Sequence, residues 1–169
     1  IDSAGSFNND AGFSICSCTG TGSNGTIKHG LNSAPSTIIH KRRDADGGWV
    51  VWHKSIGTNI LELNSTGAQQ SGSSYINGTV PTSSVFSIGT SGDINASGGT
   101  YIAYCFAGKQ SYSKFGSYTG NGSGNGPFIY TGFKPAWLLV KLTSGADDWQ
   151  ILDNRRNPNN TMNFYLRPN

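Results

Sequence analysis

Phe13-Ser14-Ile15-Cys16-Ser17-Cys18 reads as an apolar/polar alternation of period two. That is the period of a β-strand with one buried face, because successive strand side chains point to opposite sides of a sheet. The same reading extends outward. Thr100 to Ala107, T-Y-I-A-Y-C-F-A, is rich in the β-branched and aromatic residues that suit a pleated, packed surface. Ser36 to Lys41, Gly48 to His53, Asn59 to Asn64 and Val85 to Gly89 add further strand segments, and Lys114 to Tyr118, Pro127 to Thr131, Ala136 to Leu142 and Trp149 to Asp153 follow them. Clusters of Gly, Asn, Ser and Asp lie between, the residues that tight turns require. Many short strands joined by such turns predict an all-β fold, an antiparallel β-sandwich of jelly-roll type. Asn154 to Leu166 shows no pattern of its own.

Composition narrows the function classes. Of 169 residues, 24 are glycine and 12% are charged, about half the usual share of ~25%. The formal net charge is +3, spread without a basic stripe, so no nucleic-acid partner is expected. No apolar run approaches the ~20 residues of a spanning helix, so no membrane insertion is expected. Helix formers are scarce and Glu62 is the single glutamate, which excludes an all-helical protein. The chain opens on Ile1 without a signal peptide, so it reads as a processed product or as a piece of a longer polypeptide. Its three cysteines, Cys16, Cys18 and Cys105, are too few and too odd in number for a closed disulfide framework. They read as small buried apolar residues, with one bridge from Cys16 or Cys18 to Cys105 as the alternative. Free thiols point to a reducing compartment of origin such as a bacterial cytoplasm.

An internal repeat organises the chain. Ser17-Cys18-Thr19-Gly20-Thr21-Gly22-Ser23 lines up with Ser117-Tyr118-Thr119-Gly120-Asn121-Gly122-Ser123, about 100 residues later. At the same offset Pro35 falls on Pro135, Ile38-Ile39 on Leu138-Leu139, Lys41 on Lys141, Trp49 on Trp149 and Val51 on Ile151. Leu63-Asn64-Ser65 is matched with the closing Arg167-Pro168-Asn169. The domain reading is therefore a first β repeat unit over 1–112 and a partial second repeat over 113–169. A sandwich short of strands exposes an edge and half a core. Either the polypeptide continues or the second part packs with the first into one sandwich, and the second arrangement is the expectation here.

Phe115 to Ser123, F-G-S-Y-T-G-N-G-S, and Gly132 to Lys141, G-F-K-P-A-W-L-L-V-K, resemble a repeat in tail-fibre-like virion proteins of marine bacteriophages, described as concanavalin-A-like lectin/glucanase domains. Asn64-Ser65-Thr66, Val85 to Gly89 and Tyr101 to Ala107 share the likeness, which runs from about Gly12 to Asn169. The resemblance implies a virion structural protein, assembled in the bacterial host cytoplasm and carried on the extracellular particle. It implies a tail or tail-fibre component contacting host-surface glycans. The alternative is a capsid decoration or head-fibre protein without a ligand. It further implies contacts with other virion subunits as a homo-oligomer, with a trimer expected.

The glucanase half of that likeness raises a third class, a polysaccharide-degrading enzyme. Glycoside hydrolysis generally uses two carboxyls ~5–9.5 Å apart. Glu62 stands alone, and Asp44, Asp46, Asp93, Asp147, Asp148 and Asp153 read mostly as turn residues, so no catalytic residue is assigned and no enzyme or cofactor is expected. Asp44-Ala45-Asp46-Gly47-Gly48 offers alternating oxygen ligands and makes Asp44 and Asp46 calcium candidates, but a hairpin turn explains the same residues. His29, His40 and His53 lack a nucleophile elbow and read as satisfied structural histidines, His40 and His53 being brought close across the hairpin. Lys41-Arg42-Arg43 reads as a solvated turn entry. Lectin sites stack sugars on aromatic rings. Trp49 and Trp149 recur at the repeat period and read as core, which leaves Trp52, Tyr75 and Tyr112 as the glycan-binding candidates. Trp49 and Val51 share one face and Val50 and Trp52 the other, so that strand is expected to be covered on both sides, by core and by a subunit neighbour. The Asn-x-Ser/Thr sequences at Asn24, Asn64, Asn77, Asn95, Asn121 and Asn159 arise by composition and would go unused in bacteria.

Overall fold

A computed structural model describes residues 1–156 and 164–169. Among the described residues there are eleven strands: β1 (Ser3–Asn8), β2 (Phe13–Thr19), β3 (Gly25–Lys28), β4 (Thr37–Arg42), β5 (Trp49–His53), β6 (Asn59–Glu62), β7 (Gln70–Ser71), β8 (Val85–Ile88), β9 (Thr100–Phe106), β10 (Trp137–Val140) and β11 (Gln150–Asp153). One short helix, α1 (Gly92–Asn95), is capped by the Ser91 hydroxyl. The fold is an antiparallel β-sandwich. Its main sheet has the order β1-β2-β9-β4-β5-β6-β7, and β3-β8 and β10-β11 form two smaller sheets.

Register explains the packing. One row crossing the main sheet is Gly5, Cys16, Ala103, His40, Val50 and Glu62. The next row, Ser6, Ile15, Tyr104, Ile39, Val51 and Leu61, points the opposite way, as the two-residue period demands. The first face meets β3-β8 and α1. Ile27, Phe86, Ile88 and Ile94 there pack on Cys16, Ile38, Val50, Trp52, Ala103 and Cys105. The second face carries a smaller cluster of Val51, Ile56, Leu61 and Trp149, with Ile39, Leu63 and Leu139 against it. Strand β5 is therefore covered on both sides, and the second cover is the chain's own β10-β11 hairpin rather than a neighbouring subunit. Trp149 anchors it, donating its indole N–H to the Glu62 carbonyl at 2.8 Å.

Two segments read as strands are not strands. Lys114 to Tyr118 and Pro127 to Thr131 are irregular and, apart from the half-buried Phe115 and Thr131, exposed, because no strand among the described residues lies beside them to accept their backbone bonds. Strands β1 and β3 carry too little alternation to be read from sequence: β1 is exposed throughout, and β3 buries one residue, Ile27. Of the segment 154–166, Asn154 to Arg156 form a turn and Leu166 bridges to Ile151; 157–163, with the Asn159 sequence, lie outside the described residues.

All three cysteines are free thiols, Cys16 and Cys105 buried and Cys18 half-buried. Burial pushes Cys18 up to about 11. Asn95 is fully buried and serves as an internal strut. Its amide donates to the Ser23 and Gly89 carbonyls at 2.7 and 2.6 Å and accepts the Thr21 N–H at 2.8 Å. Asn64 accepts the Trp49 N–H at 2.8 Å.

Candidate functional site

The three glycan candidates fall in different places. Trp52 is 5% exposed, in the core cluster, with its indole N–H donated to the Gly57 carbonyl at 2.7 Å. It offers no stacking surface, because the parity of β5 puts Val50 and Trp52 inward together. Tyr75 is half-buried and shares with Trp52 the wall of a cavity of about 20 Å³, room for about one water molecule. Tyr112 is 70% exposed and lines a different space.

That space is a groove of about 270 Å³ walled by Ala11, Gly12, Phe13, Phe106, Ala107, Tyr112, Ser113 and Phe115, close to the ~300 Å³ lower end of ligand pockets. Sheet pairing builds it. Phe13 of β2 sits directly opposite Phe106 of β9, with ring centroids 4.9 Å apart and tilted by 38°. Phe115 extends the aromatic wall, 6.3 Å from Phe106 and 6.4 Å from the His53 ring. Burial first, and then the Lys54 charge, push the His53 pKa down, so its ring is neutral at pH 7. The Tyr112 ring is carried on a tight loop. Lys109 N–H reaches the Ser113 carbonyl and hydroxyl, each at 3.1 Å, and Ser113 N–H returns to the Lys109 carbonyl at 2.9 Å. The floor needs Gly12. Its φ is +65° and a Cβ there would strike the Ala107 carbonyl oxygen, whose own N–H donates to the Gly12 carbonyl at 2.7 Å.

Phe13, Phe106 and Phe115 were absent from the sequence candidates because each reads as an ordinary strand residue. The available signal was parity: Phe13 and Phe106 lie on the strand face opposite the buried Ser14, Cys16, Ala103 and Cys105.

The ionisable candidates are tied into structure. Asp44 accepts Arg42 Nε at 3.0 Å and the Thr100 N–H at 3.1 Å, and the Arg42 bond leads the lowering of its pKa. Asp46 stands in the turn joining β4 to β5. Among the described residues no three His, Cys, Asp or Glu side chains converge as a metal group. Lys41 reaches back to the Gly47 carbonyl at 2.8 Å and lies over the Trp49 ring. His40 and His53 are not brought close: Thr37 faces His53 and Val50 faces His40, which puts the two histidines on opposite sides of the sheet. His29 and His53 are hydrogen-bonded, to Leu31 and Thr82 and to Ser55. His40 is 4% exposed, stacked 5.6 Å from Tyr101, and neither ring nitrogen has a partner among the described residues. Burial holds its pKa down at about 4. No helix among the described residues is long and apolar enough to cross a membrane.

What the fold and groove define is a β-sandwich with an aromatic recess on one sheet face. The chain belongs to a protein family described as a domain of unknown function, DUF7483, which matches residues 1–169. No curated protein and no solved structure matches it.

Proposed function

We propose that this domain is a non-enzymatic structural component of a bacteriophage particle, of the tail or tail-fibre type, that contacts host-surface glycans through the Tyr112 groove. The observation that carries this reading is an exposed tyrosine beside a wall of three phenylalanines in a recess whose lining holds no carboxylate. A sugar ring can lay its C–H face on such a wall while its hydroxyls meet water and the groove's backbone groups. Glycoside hydrolysis generally uses a carboxyl pair, and the lining of the Tyr112 groove has none. The virion setting rests on the resemblance to marine phage tail-fibre-like domains over most of the chain.

A second reading, a capsid decoration or head-fibre protein, is favoured by a different feature. Phe128, Tyr130 and Trp137 are 89%, 72% and 56% exposed, aromatic surface that a neighbouring subunit would cover. Binding of the purified domain to a panel of bacterial surface polysaccharides separates the two. The tail reading expects binding that weakens at least tenfold in Tyr112→Ala, about 1.4 kcal/mol, with the melting temperature unchanged. Absence of binding across the panel, or equal binding by the variant, rejects the groove, and labelling of capsids rather than tails by an antibody to the domain favours decoration.

A further inference from the structure

The β10-β11 hairpin has the geometry of β4-β5. The pairs Thr37–His53, Ile38–Trp52, Ile39–Val51 and His40–Val50 recur as Trp137–Asp153, Leu138–Leu152, Leu139–Ile151 and Val140–Gln150. The flanking bonds recur as well. Lys54 N–H to the Ser36 carbonyl at 2.9 Å is matched by Asn154 N–H to the Ala136 carbonyl at 3.0 Å. Trp49 N–H to Asn64 Oδ1 and Trp149 N–H to Asn169 Oδ1 are both 2.8 Å. Leu61 lies opposite Val51, and Leu166 opposite Ile151.

The two hairpins differ in what surrounds them. Strand β4 has β9 along its other edge, and the face holding Ile38, Val50 and Trp52 is covered by β3-β8 and α1. Strand β10 has no neighbour on that edge among the described residues, and Leu138, the counterpart of Ile38, is 40% exposed. The Ala136–Asn154 bond fixes which groups are free. In an antiparallel ladder the bonded and non-bonded pairs alternate, so Leu138 and Val140 bond to β11 while the N–H and C=O of Trp137 and Leu139 point outward. Their counterparts in β4 face β9, as the Arg43 N–H to Thr100 carbonyl bond at 2.8 Å extends. An uncharged, proline-free open edge is a template for another strand.

We propose that β10 is an interface strand and that its occupant is β10 of a second copy of this chain, paired antiparallel about a two-fold axis at Leu139. This inference is independent of the glycan reading. The sequence of the edge suits its own copy. A two-fold at Leu139 keeps each face of the hairpin continuous across the pair, because residues opposite one another then share parity. Leu138 meets the partner's Val140 twice on the uncovered face, and Lys141 meets the partner's Trp137 instead of a second lysine. The pairing joins two hairpins into a four-stranded sheet and gives the outward N–H and C=O groups of Trp137 and Leu139 backbone partners.

Sedimentation velocity of the full chain tests it, with two variants that leave the β11 bonds in place. Trp137→Pro removes an outward N–H, and Leu138→Lys puts a charge on the apolar face. The expected result is a species of twice the 17.9 kDa chain mass in the wild type and a single chain mass in both variants, with unchanged far-UV circular dichroism. A monomeric wild type overturns the proposal. So does a dimer or trimer whose mass both variants, folded by circular dichroism, leave intact.

Discussion

Acid should destabilise this protein through one buried histidine. His40 lies between Tyr101 and Phe86, with no other ionisable group but Tyr75 lining its cavity and no hydrogen-bond partner for either nitrogen. Burial lowers its pKa from the ordinary 6.5 to about 4. Above pH 6.5 the ring is neutral in the folded and unfolded chains alike and contributes no pH dependence. Below 6.5 the unfolded chain takes up a proton that the folded chain refuses, so stability falls by about 1.4 kcal/mol per pH unit until the folded ring itself titrates. From 6.5 to about 4 the loss is roughly 3 kcal/mol, a large part of the ~5–15 kcal/mol that holds a domain together. The comparison is His40→Leu, which fills similar volume and removes two unpartnered polar atoms, so at pH 7.5 it is at least as stable as the wild type. Urea unfolding of both proteins at steps from pH 7.5 to 4.5 gives the difference curve. His29 and His53, whose pKa values burial also lowers, affect both proteins equally and cancel. The difference should widen in favour of the variant by about 2–3 kcal/mol towards pH 4.5. Parallel curves for the two proteins would refute the reasoning.

Two other perturbations follow from the packing. Trp149→Ala empties the smaller cluster and leaves the Glu62 carbonyl with the Ser65 N–H as its remaining donor; removal of a buried tryptophan costs about 3–5 kcal/mol, and hydrogen exchange should show β10-β11 amides opening while the seven-stranded sheet stays protected. Asn95→Ala leaves the Thr21 N–H and the Gly89 carbonyl without their side-chain partner and the Ser23 carbonyl with the Thr21 hydroxyl alone, a loss of about 3 kcal/mol in urea unfolding, whereas Thr119→Ala in the exposed, irregular chain should change stability by less than about 0.5 kcal/mol.

The strands with one buried face were legible because their alternation is local. Phe13 to Thr19 and Thr100 to Phe106 needed no knowledge of their neighbours to be read, nor did the turn at Asp44 to Gly48, whose residues suit a hairpin. Strand β1 was illegible because an edge strand exposed on both faces carries no hydrophobic period. Tyr112 was legible as an aromatic in a polar loop; its groove was not, because Phe13 and Phe106 are far apart in the chain and meet only through β2-β9 pairing.

The amino-acid sequence by itself determined that this chain makes short antiparallel strands with tight turns, since period and turn chemistry act over a few residues. Tertiary structure decided everything that depends on a partner. The pairing of β4 with β5 settled that Trp52 goes inward and His40 and His53 to opposite faces. With no neighbouring strand among the described residues, Tyr118 and Phe128 lie in irregular, exposed chain although their stretches have strand-like residues. A strand exists only where another backbone accepts its hydrogen bonds, and that is a property of the assembled sheet.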